Sequence, residues 1–143
     1  MGNISYEFPV EKDDFERAGE ASSKIKKILR QLGMDSGIIR RVAIGAYEAE
    51  MNLVIHSLGG TIRIDIDPKS IIITAEDKGP GIHDINLAMK EGYSTATEKI
   101  REMGFGAGMG LPNMKRCSDI FEIQSIVGKG TKIVMKMNLK DGD

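Results

Sequence analysis

Apolar residues recur along this chain with two different periods. Phe15, Ala18, Ala21, Ile25, Ile28 and Leu29 return every three or four residues, the period of a helix packed on one side. Asp13 or Asp14 can cap that helix and Gly33 can stop it, so it is expected to run to about Leu32. A second helix is expected from Asp35 or Ser36 to about His56 or Ser57. On its wheel Ile39, Val42, Ala43, Ala46, Leu53 and Val54 share one arc, and Glu48, Asn52 and His56 lie opposite. Glu50 falls inside the apolar arc, so it either meets solvent at the rim or pairs with a cation. Strict alternation replaces this pattern from Thr61 to Ile66, where Ile62, Ile64 and Ile66 oppose Arg63 and Asp65. The turn at Asp67–Ser70 and a strand over Ile71–Ala75 complete a hairpin.

Further strands are predicted over Ile4–Val10, Ile120–Val127 and Thr131–Leu139, the last two joined through Gly128-Lys129-Gly130. Short helices are predicted over Asp84–Met89 and Leu111–Cys117, with Pro112 tolerated in a first turn. The polar stretch Glu91–Met103 reads as a loop. Helices do not alternate with every strand, which excludes a doubly wound sheet. The expectation is an α+β two-layer sandwich: one mixed, mostly antiparallel sheet with helices on one face, forming a single domain over residues 1–143.

Composition narrows the function. At 41% hydrophobic the chain can bury a core. Its net charge of -1 argues against a dedicated nucleic-acid binder, and its 5% aromatic content against base-stacking platforms. The single cysteine, Cys117, excludes an internal disulfide and a multi-cysteine metal site, and reads as a packing residue. The nine methionines read mainly as core filling. The start lacks a basic-then-apolar leader and no run of 18 apolar residues occurs, so the expectation is a cytoplasmic protein without a membrane partner.

Three motifs carry candidate chemistry. Gly104, Gly106, Gly108 and Gly110 precede Leu111 and a helix, an arrangement that lets backbone N–H groups approach a phosphate. The spacing fails the G-x-G-x-x-G dinucleotide pattern, and no Gly-Lys-Ser/Thr ending follows. Asp77, where a strand runs into Gly79 and Gly81, is an acceptor able to take an amino group. Glu48 and Asn52, one turn apart on a helix, pair a candidate general base with a candidate magnesium ligand. Each motif alone also has a plain reading: a flexible loop, an Asp-Gly turn, a solvated helix face.

Taken together and in this order, they resemble the GHKL ATPase superfamily, whose ATP site is the Bergerat fold. Glu48-x-x-x-Asn52 resembles its N box, Asp77-x-Gly79-x-Gly81 its G1 box, and Gly106-x-Gly108-x-Gly110 its G2 box. Gly130-Thr131 resembles the late Gly-Thr of the adenine site. Within the superfamily, Gly92-Tyr93-Ser94-Thr95 and the run from Gly106 to Arg116 are similar to the anti-sigma-factor and switch-kinase branch. Glu50 departs from that pattern, where something smaller or apolar is usual.

The resemblance implies ATP and Mg2+ as cofactors and Glu48 as general base. It implies Asn52 as magnesium ligand, Asp77 as adenine acceptor and Thr131 as adenine-site hydroxyl. Gly79, Gly81, Ile82, Gly104, Gly106, Gly108, Gly110 and Leu111 become nucleotide contacts, and Glu91–Met103 the ATP lid, from which Lys99 and Arg101 could reach the γ-phosphate. The implied activity is transfer of the γ-phosphate to a serine or threonine of a STAS-type anti-sigma-factor antagonist. Some members also hold a sigma factor inactive, so an ATP-dependent anti-sigma factor is the alternative, and a homodimer stays open. A histidine kinase is disfavoured, because His56 and His83 are the only histidines and no phospho-acceptor helix pair is present. ATP hydrolysis by water is the third rival.

Overall fold

The computed structural model describes residues 3–79, 81–82, 85–90 and 110–139, Asn86 by its backbone alone. The elements are β1 (Ile4–Val10), α1 (Glu20–Gln31), α2 (Ser36–His56), β2 (Gly60–Ile66), β3 (Ser70–Asp77), α3 (Ile85–Ala88), α4 (Gly110–Cys117), β4 (Ile120–Ile126) and β5 (Gly130–Asn138). The strands form one sheet in the order β1-β2-β3-β5-β4, and every neighbouring pair is antiparallel.

The alternation in the strands is what makes this a two-layer structure. Ile62, Ile64, Ile66, Ile71, Ile73, Ile133, Met135 and Met137 lie on one sheet face and are almost wholly buried. Against them pack Ile25 and Leu29 of α1, Val42, Ala46 and Leu53 of α2, and Met114 of α4. The opposite face carries Arg63, Asp65, Glu76, Lys132 and Glu122, and stays partly or fully open to water. α2 lies centrally, flanked by α1 and α4. Gly45 lets it approach β5 closely, since a Cβ there would stand 3.1 Å from the Met135 sulfur.

The helix ends follow local chemistry with one exception. Asp35 caps α2 by accepting from the Gly37 N–H at 3.0 Å. α1 closes through Gly33 at φ 73°, with Gly33 N–H donating to Arg30 and Met34 N–H to Leu29, the paired bonds of a Schellman ending.

The start of α1 lies five or six residues later than expected. Asp13 adopts φ 59° and Asp14 accepts from the Arg17 N–H, so neither begins the helix. α1 starts after Gly19, which has no side chain to cap it. The cap arrives from α2 instead. Glu50, 2% exposed, accepts from the N–H groups of Gly19, Ala21 and Ser22 at 3.0, 3.1 and 3.0 Å. This carboxylate satisfies three donors that a helix start leaves open, and its charge suits the positive end of the helix dipole. The Glu50 that disturbed the wheel therefore pairs with a helix end, not with a cation or solvent.

Candidate functional site

The residues singled out in the sequence gather at the two ends of one stretch of α2. At one end Asp77, the last residue of β3, is half-buried against the start of β5. Its Oδ1 accepts from the Thr131 N–H at 3.0 Å. Gly130 is held at φ 143°, and a Cβ there would collide with the Asp77 carbonyl oxygen and stand 3.1 Å from Oδ1. Only glycine lets β5 begin this close to the carboxylate. One oxygen of Asp77 is thus anchored, and Oδ2 remains as the acceptor.

Ser125 ties this corner together. Its Oγ accepts from the Ile82 N–H at 2.7 Å, lies 2.8 Å from Thr131 Oγ1 and donates to the Gly130 carbonyl at 3.3 Å. Sequence reasoning missed Ser125. The signal was its parity: Phe121, Ile123 and Ser125 face the core side of β4, and a hydroxyl there needs partners.

Gly79 and Gly81 both lie close to protein backbone. A Cβ on Gly79 would stand 3.3 Å from the Leu58 nitrogen, and one on Gly81, at φ 76°, 2.6 Å from the Ile126 carbonyl oxygen. The room left by their missing side chains is filled by protein backbone. It sets Gly79 against the α2–β2 turn and Gly81 against the β4–β5 hairpin.

At the other end stands Glu48. An ideal Cβ on Gly110, the first residue of α4, would lie 3.3 Å from Glu48 Oε2. Asn113, one turn along α4, is near enough to the same carboxyl to favour its ionised form. Leu111 is buried and anchors this turn in the core. Asn52 is half-buried one turn beyond Glu48, between it and the Ser57–Leu58 turn that touches Gly79. α2 therefore links the two ends, with Glu48 and Asn52 about 6 Å apart along its axis. Gly104, Gly106, Gly108, the 91–103 segment, Lys99, Arg101 and His83 lie outside the described residues.

Burial sets the electrostatics. It raises the Glu48 carboxyl above the ordinary range, and the nearby Asn113 pulls it partly back. It raises Asp77 likewise, against the Thr131 N–H. Both acids gain a proton more readily than in water, so their basic forms are lost at a higher pH than for an exposed carboxylate. Burial also lowers His56, keeping it neutral at pH 7; it lines a cavity of about 440 Å³ with Lys12, Leu58, Gly79 and Gly128, behind the glycine segment. Cys117 is half-buried and its thiol is pushed up by burial, so it is not a reactive thiolate. Among the described residues no three His, Cys, Asp or Glu side chains cluster to hold a metal ion, and no helix is long and apolar enough to cross a membrane.

Comparison with known proteins shows the family. Residues 39–141 match the family described as histidine kinase-, DNA gyrase B-, and HSP90-like ATPase. The chain is 34% identical to the serine/threonine-protein kinase RsbT of Bacillus subtilis, over 76% of this chain and 78% of that protein. It is 32% identical to an anti-sigma F factor of Clostridium novyi, over 81% and 82%. A further anti-sigma F factor, from Caldanaerobacter subterraneus, is 37% identical over 70% and 62%.

Proposed function

Since this chain belongs to the histidine kinase-, DNA gyrase B-, and HSP90-like ATPase family, we propose that it is an ATP-dependent protein serine/threonine kinase. Its substrate is a serine or threonine of a STAS-type anti-sigma-factor antagonist, and it works in the cytoplasm. The carrying observation is the meeting of Glu48 with Gly110: a half-buried carboxylate stands at the first turn of the helix that the glycine-rich run leads into. Similarity to a serine/threonine-protein kinase supports the reaction class.

The residues divide the work. Asp77, with one oxygen fixed by Thr131, accepts the adenine amino group through the other. Ser125 holds Ile82 and Thr131 in register below it. Asn52 offers an amide oxygen to Mg2+. With no acidic cluster among the described residues, the ion would reach the site on the phosphates, as magnesium commonly does. When bound, Mg2+ neutralises charge on the phosphates. Glu48 takes the proton of the acceptor hydroxyl as its oxygen bonds to the γ-phosphorus, and ADP leaves. Positioning supplies most of the rate.

Calorimetric titration with ATP and magnesium tests the site. Asp77→Asn lowers ATP affinity by roughly 10- to 100-fold, the worth of one charge-assisted hydrogen bond. Asn52→Ala removes the magnesium dependence of binding. Unchanged affinity in Asp77→Asn would refute the adenine assignment. Ser125→Ala, which leaves the Ile82 N–H without its acceptor, lowers ATP affinity by about 2- to 10-fold while the protein stays folded.

The likeness to anti-sigma F factors favours a second reading, in which the chain holds a sigma factor in an ATP-dependent way and kinase activity is secondary. Co-purification with a sigma factor distinguishes it. A homodimer belongs to either reading and is tested by sedimentation.

A further inference from the structure

α4 meets α2 at two places. Gly110, its first residue, lies against Glu48, since an ideal Cβ there would stand 3.3 Å from Glu48 Oε2. At the other end the Cys117 carbonyl accepts from Arg41 Nε at 3.2 Å. Gly110 and Cys117 stand seven positions apart on α4, and Arg41 and Glu48 seven apart on α2. Seven residues make close to two turns, so each pair shares a face and spans about 10 Å. The order of the pairs makes the two helices antiparallel, with a register pinned at both ends. The Arg41 end is built as a clamp. Ser118 takes the closing carbonyls of Met114 and Lys115, through Oγ at 2.7 Å and N–H at 3.2 Å. The Cys117 carbonyl is left to Arg41, whose charge suits the negative end of the helix. The same guanidinium pairs through Nη2 with Asp119 Oδ2 at 3.2 Å. Asp119 is itself fixed to β5: Oδ2 accepts from the Asn138 N–H at 2.7 Å, and its own N–H donates to the Lys136 carbonyl at 2.9 Å. One planar fork thus joins α2, the end of α4 and β5, which the single point charge of a lysine could not do in the same geometry.

We propose that Arg41 is a positioning residue for the α4 end of the site: it sets the register of α4 on α2, and with it the place of the Gly110 turn beside Glu48. The catalytic side of the proposal rests on the reading of Glu48 as general base. Burial alone does not set that register. Leu111, Pro112 and Met114 bury the core side of α4, but apolar contact is non-directional. The clamp does. Its two charged side chains are each about one-third exposed, so the ion pair adds little to stability. Its effect falls on geometry, where a misplacement of about 1 Å far from the chemistry can cost roughly 10²-fold in rate.

The test is Arg41→Ala, with Arg41→Lys beside it. Amide NMR of the ligand-free protein reads the register. In Arg41→Ala the Gly110 signal moves together with those of residues 117–119, although Gly110 lies about 10 Å along α4 from the lost contact. Transfer of phosphate to a STAS antagonist falls about tenfold or more in kcat, while the melting temperature drops by only roughly 2–4 °C. Arg41→Lys, which keeps the charge but not the fork, shows the same shifts at smaller size. Signals that move only at residues 117–119 overturn the proposal, and so does a wild-type kcat in Arg41→Ala. Full transfer activity in Glu48→Gln overturns the base reading instead, and the Gly110 signal still decides the register.

Discussion

Glu48→Gln lowers phosphate transfer by roughly 10²- to 10⁴-fold, the usual contribution of a general base, and leaves ATP affinity close to wild type. The split follows from the geometry. Glu48 lies against Gly110 at the α4 end, whereas the candidate adenine acceptor lies at the β3 and β5 end. The loss is therefore in kcat and not in nucleotide binding. The same carboxyl sets the pH profile. Burial raises its pKa, and the ionised form is the base, so activity declines with acid at a higher pH than an exposed glutamate would give.

The stability consequence has a defined sign. A folded-state pKa above the unfolded one means that the native state is favoured below the unfolded pKa and gives up that advantage as pH rises through the folded value. Above the folded-state pKa the ionised, half-buried Glu48 thus costs stability, and there Glu48→Gln is at least as stable as wild type. Stopped-transfer kinetics and a thermal melt on the same variant check both halves. Equal loss of transfer and ATP binding would contradict the division of the site.

Glu50→Ala has the largest effect on the fold. Three backbone donors at the start of α1, those of Gly19, Ala21 and Ser22, lose their acceptor together. At roughly 1 kcal/mol or more for each donor left open in a buried place, the loss is about 3 kcal/mol. For a chain of this size that lowers the melting temperature by roughly 10 °C. Glu50→Gln keeps one carbonyl oxygen and falls between. A melting temperature of Glu50→Ala equal to that of wild type would mean that water or a shifted α1 replaces the cap. Two residues apart on α2, Glu48 and Glu50 thus give opposite signatures, one in rate and one in stability.

Much of this was legible in the chain, because its signals were local. Alternation in Thr61–Ile66 marked β2, and its face is the core face. Asp35 beside Ser36 marked the start of α2, and its side chain makes the cap. The start of α1 was not legible, because its cap comes from a residue 31 positions after Gly19 and sequence rules for caps look only at neighbours. The one trace was a carboxylate on an apolar arc, which requires partners that the arc itself does not hold. In the candidate site, Glu48 and Asn52 stood out through their spacing and Asp77 through its place before two glycines, while Thr131 entered through the family resemblance. Ser125 did not, since it acts across the fold, on Ile82 and Thr131. The close backbone beside Gly79 and Gly81 was hidden for the same reason, since it comes from distant turns.

Incubation of the purified protein with Mg-ATP and a purified STAS-domain antagonist, read by mass spectrometry of the antagonist, tests the central claim most directly. The kinase reading predicts one added phosphate on a serine or threonine with wild type, and none with Glu48→Gln. A protein that binds ATP under the same conditions yet leaves the antagonist unmodified would contradict it, and would leave the ATP-dependent hold on a sigma factor as the working function.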